Sequence, residues 1–469
     1  MTLPEEVGKT LEQFYIEDGV LHEISEKIQD ELVQGLEGGA SKSSIAMLPS
    51  FVPALPDGNE IGKYIAIDLS GRNLRIMLLT LKGSNQEPEQ INHNYVFPAS
   101  VMKGTGDQLF TFIVNCLMKF LNEVNLLNAS LPVGFVFSYP CELLSIRSAR
   151  LLWWTKGFDI KDCLQKDVVK LLEEALELNM LTNVKIEVVM NDTVGQLAAT
   201  AYKYGQECVV GVVIGYGCNS SYLEDTAKIK KFNAAASGYK FDKMVVVTEW
   251  EEFGEKGELA AVLTQFDRDI DEVSVHKGKQ MIDKLTGALY LGELVRRILM
   301  QFTLDGQLFS GKSCEKLGEV DSFPTKYISE ILRQMKKGVL KFVDGYVMNL
   351  MRLVTVQLIM RSSMKYAMRY LRDLLLLLLL YIVISTSTNI FHTNGFSAIA
   401  ALLRHIGQSN IKVGVGGALV QFHPTYLALL ENKLHDLAPV NIKWELVPAD
   451  EGSAKGAAIV AAVAEKMGL

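Results

Sequence analysis

The sequence of 469 residues predicts an α/β fold. Two observations carry this. Short apolar runs break at small or polar residues and lead into helix-like stretches, as in "LPVGFVFSYP", "VKIEVVMNDTVGQLAATAY" and "CVVGVVIGYGCNSSYLED". The C-terminal segment "NIKWELVPADEGSAKGAAIVAAVAEKMG" repeats the theme as a strand, a Gly-rich turn and an Ala-rich helix. A chain of this length buries a large core, divided between more than one lobe.

In chain order, an amphipathic helix is predicted from Asp18 to Leu36. Leu21, Ile24, Ile28, Leu32 and Leu36 recur every three or four positions, with Asp18 as its cap and Gly38-Gly39 as its stop. The stretch "MLPSFVPALPDGNEIG" reads as a linker through its Pro and Asp-Gly content. "YIAIDLSGRNLRIMLLTLKG" then forms a strand ending at Asp68, a corner at Ser70-Gly71 and a returning strand. Between Met335 and Asn389 the chain runs through "DLLLLLLLYIVISTSTN". That apolar run falls short of the ~20 residues a membrane-spanning helix needs. A buried helix and low-complexity sequence, arising for instance from an error in the gene model, are the two readings left open.

Composition narrows the function. The chain is 49% hydrophobic and 22% charged, in the ordinary range for a globular protein, and its net charge of −7 argues against a nucleic-acid binder. The six cysteines form no CxxC pair and no metal-ligand spacing, as expected of reduced thiols in the cytoplasm. The acidic N-terminal stretch has no continuous apolar run, so neither a signal peptide nor a membrane attachment is expected.

Two chemical features stand out. A hairpin opened by an acidic residue, here Asp68, suits nucleotide phosphates, although Ser70 and Arg72 crowd a corner where bare amides are wanted. Asp192 follows an apolar strand at a polar break, where a carboxylate can serve as a general base. It can equally be a helix N-cap.

Several stretches in register resemble the eukaryotic hexokinase family: "IDLSGRNLR", "FSYPCELLSIRSARLLWWTKGFDI", "VVMNDTVGQLAATAY", "VTEWEEFG", "LYLGELVRRIL", "VGVGGALVQFHPTY" and "VPADEGSAKGAAIVAAVA". In character the departures are similar to those of atypical hexokinase-like proteins of filamentous fungi. The resemblance implies a two-lobed actin-like ATPase fold with a sugar cleft between the lobes. It places residues 63–190 plus 442–469 in a small lobe and 1–62 plus 191–441 in a large one.

It also implies roles. Asp192 becomes the base for phosphorylation of the 6-hydroxyl of a hexose, glucose being the expected one. Ser138, Thr155, Lys156, Asn191, Asn219 and Glu249 become sugar contacts and retain the family's residue types. Asp283 stands where the family has a glutamate, one methylene longer, a change worth about 1 kcal/mol of sugar affinity. On the nucleotide side the resemblance assigns Asp68, Gly71, Arg72, Asn73, Gly215, Tyr216, Gly217 and Gly417 to Mg-ATP, with Asp68 holding the hydrated metal through water. There Ser70 and Arg72 replace a glycine and a threonine, and Tyr216 replaces a threonine whose hydroxyl would meet a phosphate. Gly416-Gly417-Ala418 lacks the usual Asp and Ser or Thr. A clash between the Tyr216 ring and the phosphates is expected. Losing two phosphate contacts at ~2 kcal/mol each slows transfer roughly a thousandfold. The expectation is therefore a hexokinase with impaired use of ATP, or alternatively a glucose-sensing regulator acting through a partner protein.

Overall fold

The computed structural model describes residues 5–69, 71, 73–84, 86–308, 315–336, 395–449 and 452–469. Arg72 and Ser70 therefore lie outside the described residues, as does the leucine-rich stretch from residue 337 onward.

The helix α1 (Asp18–Gly38), preceded by a short helix over Glu5–Glu12, buries Leu21, Ile24, Ile28, Leu32 and Leu36, the stripe its spacing predicts. Its N-cap is Glu17, which makes no side-chain capping bond, and Asp18 sits in the first turn instead. Gly39 ends the helix at φ 60°, where its N–H donates to the Gly35 carbonyl.

Two mixed sheets organise the rest. The first contains β2 (Ile61–Leu69), β3 (Asn73–Lys82), β4 (Glu89–Val96), β5 (Leu131–Phe137) and β8 (Val184–Met190), in the order β4-β3-β2-β5-β8. The second contains β1 (Leu48–Pro49), β9 (Cys208–Ile214), β10 (Cys218–Asp225), β11 (Lys243–Val247), β12 (Asn410–Gly416) and β13 (Lys443–Pro448), in the order β1-β11-β10-β9-β12-β13. A short hairpin, β6 (Cys141–Ser145) with β7 (Ser148–Leu151), stands apart.

The two sheets share one pattern. β2, β3 and β4 form an antiparallel meander, and β5 and β8 then add in parallel. Likewise β9, β10 and β11 are antiparallel, with β12 and β13 added in parallel. The strand β13, grouped with the small lobe by the sequence reading, hydrogen-bonds to β12 in the six-stranded sheet. The helix that follows it, α7 (Gly452–Met467), packs on β2 and β5 of the other sheet.

Each sheet's last parallel strand leads into a helix, α4 (Asp192–Tyr204) after β8 and α7 after β13, and these two helices pack together. The approach is close enough to require glycine: a methyl on Gly195 would strike the Ser453 backbone, and one on Gly456 would strike the Gly195 carbonyl. That junction sets α4, and with it Asp192, between the two sheets. Among the described residues no helix is long and apolar enough to cross a membrane.

Candidate active site

A cavity of about 630 Å³ is lined by residues from both sheets. It brings together Gly71, Ser138, Thr155, Lys156, Asn191, Asp192, Gly215, Tyr216, Gly217, Asn219, Glu249, Asp283 and Gly417. Asp68 joins this group indirectly, because the hydroxyl of Ser453, itself a lining residue, donates to Asp68 Oδ2 at 2.7 Å. Asn73 opens β3 as an exposed residue and is not among the lining side chains.

The two readings of Asp192 separate here. The α4 cap is Asn191, whose Oδ1 accepts from the Thr193 N–H at 2.9 Å. Asp192 is the first helical residue, and its own N–H donates to Ser138 Oγ at 3.0 Å. Burial lifts the Asp192 carboxyl above its ordinary pKa and the charges of Asp68 and Glu249 push the same way, against Lys156 and the Ser138 hydroxyl. A carboxyl raised in this manner at a cavity wall suits general-base work.

Lys156 adopts a left-handed backbone, φ 58°, and donates from Nζ to the Ser138 carbonyl at 2.6 Å. Its ammonium also lies 5.2 Å from the centre of the Tyr139 ring. Tyr139 belongs to a buried aromatic cluster with Phe137, Trp154 and Phe158, which fixes this wall.

On the opposite wall Asn219 Nδ2 donates to Glu249 Oε1 at 2.7 Å. Glu249 also has a left-handed backbone, φ 56° and ψ 41°. Beneath it Trp250 is fully buried and donates from Nε1 to the Cys218 carbonyl at 2.8 Å. Asp283, in the short helix α5 (Met281–Thr286), accepts the Cys218 N–H at 2.6 Å through Oδ1. Burial pushes its pKa up to about 7, with Glu249 and Asp192 adding and the Cys218 N–H and Lys156 opposing. A side chain at Gly217 would collide with this carboxylate.

At the corner expected to meet the nucleotide, Gly215 N–H donates to the Gly217 carbonyl at 2.8 Å and closes the turn between β9 and β10. Tyr216 at its tip is 59% exposed. Its ring lines the cavity, where the expected clash with a phosphate would fall. Gly417 holds φ 102°, and a side chain there would meet the Ile214 backbone, so the chain passes close by as a glycine corner. Asp68 is 4% exposed, and its Oδ1 has no hydrogen-bond partner among the described residues. An orphaned carboxylate oxygen at this point fits a water of hydrated magnesium.

Three lining or neighbouring residues escaped the sequence reading. Gln196 is 2% exposed with its Nε2 unpartnered among the described residues, Ser453 bonds Asp68, and Glu251 is buried beside Glu249. For Glu251 the available signal was "EWEEF", three acids on a turn that buries a tryptophan. No cluster of three or more His, Cys, Asp or Glu suited to a metal occurs among the described residues.

Two sheets of matching topology with a polar cleft between them define the actin-like ATPase class of two-lobed α/β proteins. Comparison with known proteins narrows this. Two family models, both described as hexokinase, match residues 6–202 and 209–463. The hexokinase of Brugia malayi is 38% identical over 467 residues, covering 99% of this chain and 78% of the relative. Human hexokinase-1 is 32% identical over 468 residues, which are 98% of this chain and 48% of that longer protein. A solved structure, the Schistosoma mansoni hexokinase complexed with glucose, superposes with a TM-score of 0.83 at 32% identity, covering 98% of both chains. The chain belongs to the hexokinase family.

Proposed function

We propose that this chain binds a hexose, with glucose preferred, and transfers the γ-phosphoryl group of Mg-ATP to its 6-hydroxyl. The observation that supports the reading is Asp192 at the wall of a cavity that Lys156, Asn219, Glu249 and Asp283 also line, together with the glycines Gly215, Gly217 and Gly417. Asp192 takes the proton of the 6-hydroxyl as the oxygen captures phosphorus. Lys156, Asn219, Glu249 and Asp283 orient the ring, since a hexose is held by several converging polar groups. Asn191, whose Oδ1 is committed to the helix cap, offers its Nδ2 to a sugar oxygen. Magnesium supplies charge neutralisation at the phosphates, and Asp68, steadied by Ser453, is the residue that meets its waters.

The nucleotide side is built for weaker use of ATP. Arg72 and Tyr216 stand in place of hydroxyl-bearing threonines, each removing a phosphate contact, and the corner at Gly416-Gly417-Ala418 is without the usual Asp and Ser or Thr. In this account a lobe of residues 63–190 with the C-terminal helix closes on the sugar against a lobe of 1–62 with 191–441, to whose sheet β13 also pairs. The cytoplasm, where hexose and Mg-ATP meet, is the compartment it fits.

A second reading rests on the same asymmetry: a sugar-binding regulator whose closure is reported to a partner protein. A coupled assay for sugar 6-phosphate with Mg-ATP, beside a glucose titration followed by tryptophan fluorescence, separates the two. Turnover above ~1 per second, within the common enzyme range, supports the kinase. Glucose binding without turnover supports the regulator.

A further inference from the structure

We propose that Tyr139 is a positioning residue for phosphoryl transfer, its hydroxyl tying the first hairpin corner at Gly71 to the wall that carries Ser138 and Lys156. The inference rests on the phosphotransfer reading above and adds a residue that reading does not use.

The first observation is the bond itself. Tyr139 Oη donates to the Gly71 carbonyl at 3.1 Å, and both residues line the cavity. Burial raises the pKa of the phenol and the Asp68 charge adds to it, so the group stays protonated and donates. Fixing one carbonyl fixes the plane of its whole peptide, because the peptide bond is rigid.

Second, packing does not hold this corner. The β2–β3 ladder runs as far as the pair Asp68 and Arg75, and Gly71 lies beyond it. A methyl built on Gly71 would meet nothing within 4 Å among the described residues. The hydroxyl therefore restrains a stretch of backbone that side-chain contacts leave open.

Third, the other end of the tether is rigid. Tyr139 is 4% exposed and follows β5, whose register with β2 reaches Phe137 opposite Leu69. The Ser138 N–H carries that pairing on, donating to the Leu69 carbonyl at 3.3 Å. The Tyr139 ring packs on Phe137, Trp154 and Phe158, with Lys156 Nζ lying 5.2 Å from its centre. Next to it, Ser138 accepts the Asp192 N–H through Oγ and the Lys156 ammonium through its carbonyl. Two consecutive residues thus touch Asp192, Lys156 and the Gly71 corner. Phosphoryl transfer depends on placement, so a corner held in register with the base bears directly on it.

The test uses the full chain carrying Tyr139→Phe, which deletes the hydroxyl and keeps the ring beside Lys156. Calorimetry reads glucose affinity first. With glucose saturating, it then reads affinity for magnesium with the non-hydrolysable β,γ-imido analogue of ATP. The variant is expected to lose roughly three- to tenfold in nucleotide affinity, the worth of one hydrogen bond, while glucose affinity stays within about twofold. Packing of the aromatic cluster alone would move neither value, since phenylalanine keeps the ring. Unchanged nucleotide affinity in Tyr139→Phe, with wild type binding the analogue, overturns the assignment. So does an equal loss for both ligands, because the sugar wall and not the corner would then carry the effect. A wild-type chain that binds glucose but no nucleotide instead removes the phosphotransfer reading itself, and the inference with it.

Discussion

Asn219 and Glu249 are locked face to face: the Asn219 Nδ2 donates to Glu249 Oε1 at 2.7 Å, and the Glu249 N–H donates back to Asn219 Oδ1 at 3.1 Å. This reciprocal pair holds Glu249 in its left-handed backbone and aims one wall of the cavity. Replacing Asn219 by alanine leaves the Glu249 N–H and carboxylate without their partner, a loss of about 1–3 kcal/mol. Asn219→Ala should therefore raise the glucose dissociation constant roughly 5- to 150-fold while changing KM for ATP little. A glucose titration followed by fluorescence checks this. An unchanged constant would show that the pair does not serve the sugar.

The nucleotide side yields a prediction of opposite sign. Tyr216→Thr, combined with Arg72→Thr, restores hydroxyls and space at the two corners. One regained phosphate contact of ~1.4 kcal/mol raises turnover about tenfold. Steady-state kinetics with varied ATP provide the measurement. No gain would mean that the exposed Tyr216 ring already turns aside and that the corners do not limit transfer.

The pH profile follows from Asp192. As the base it must be ionised, and burial raises its pKa above the ordinary carboxylate value. The acid limb of kcat/KM should therefore fall tenfold per pH unit below a midpoint clearly above ~4, the unperturbed aspartate value. A limb centred at the ordinary value would mean that Asp192 titrates as a solvated group.

Stability should also respond to pH through Asp283. Its pKa rises from 3.8 to about 7 on folding. The folded state then binds more protons between those values, so its contribution is complete below pH 3.8 and is lost as pH rises through about 7. Glu252, pushed up to about 7 chiefly by burial, acts in the same sense. The ligand-free protein should melt higher at pH 6 than at pH 8, roughly one unit either side of these midpoints. Asp283→Asn should flatten that difference, as read by thermal denaturation.

The junction of α4 and α7 tests the fold. Gly195→Ala places a methyl against the Ser453 backbone, which cannot rotate away as a side chain would. Overpacking of this kind costs about 1–3 kcal/mol. A lowered melting temperature is expected, with activity falling as well because α4 carries Asp192.

Much of this was legible before the structure. The stripe of α1 was readable because helical spacing is local, and the lining residues were readable because the motifs that carry them are continuous. What the sequence hid depends on tertiary contact. Asn191 and Asp192 are both able to cap a helix, and only backbone geometry shows that Asn191 does so. Glu251 and Glu252 look like solvated charges until the Trp250 turn buries the first and half-buries the second. The exposure of Tyr216 and the pairing of β13 with β12 likewise depend on chain segments far away in sequence.

The central claim is that Asp192 is the base of a hexose phosphotransfer, and Asp192→Asn tests it most directly. With glucose and Mg-ATP, the variant should lose about 10²- to 10⁴-fold in kcat while binding glucose within a few-fold of wild type. Turnover equal to wild type, with glucose still bound, would contradict the account.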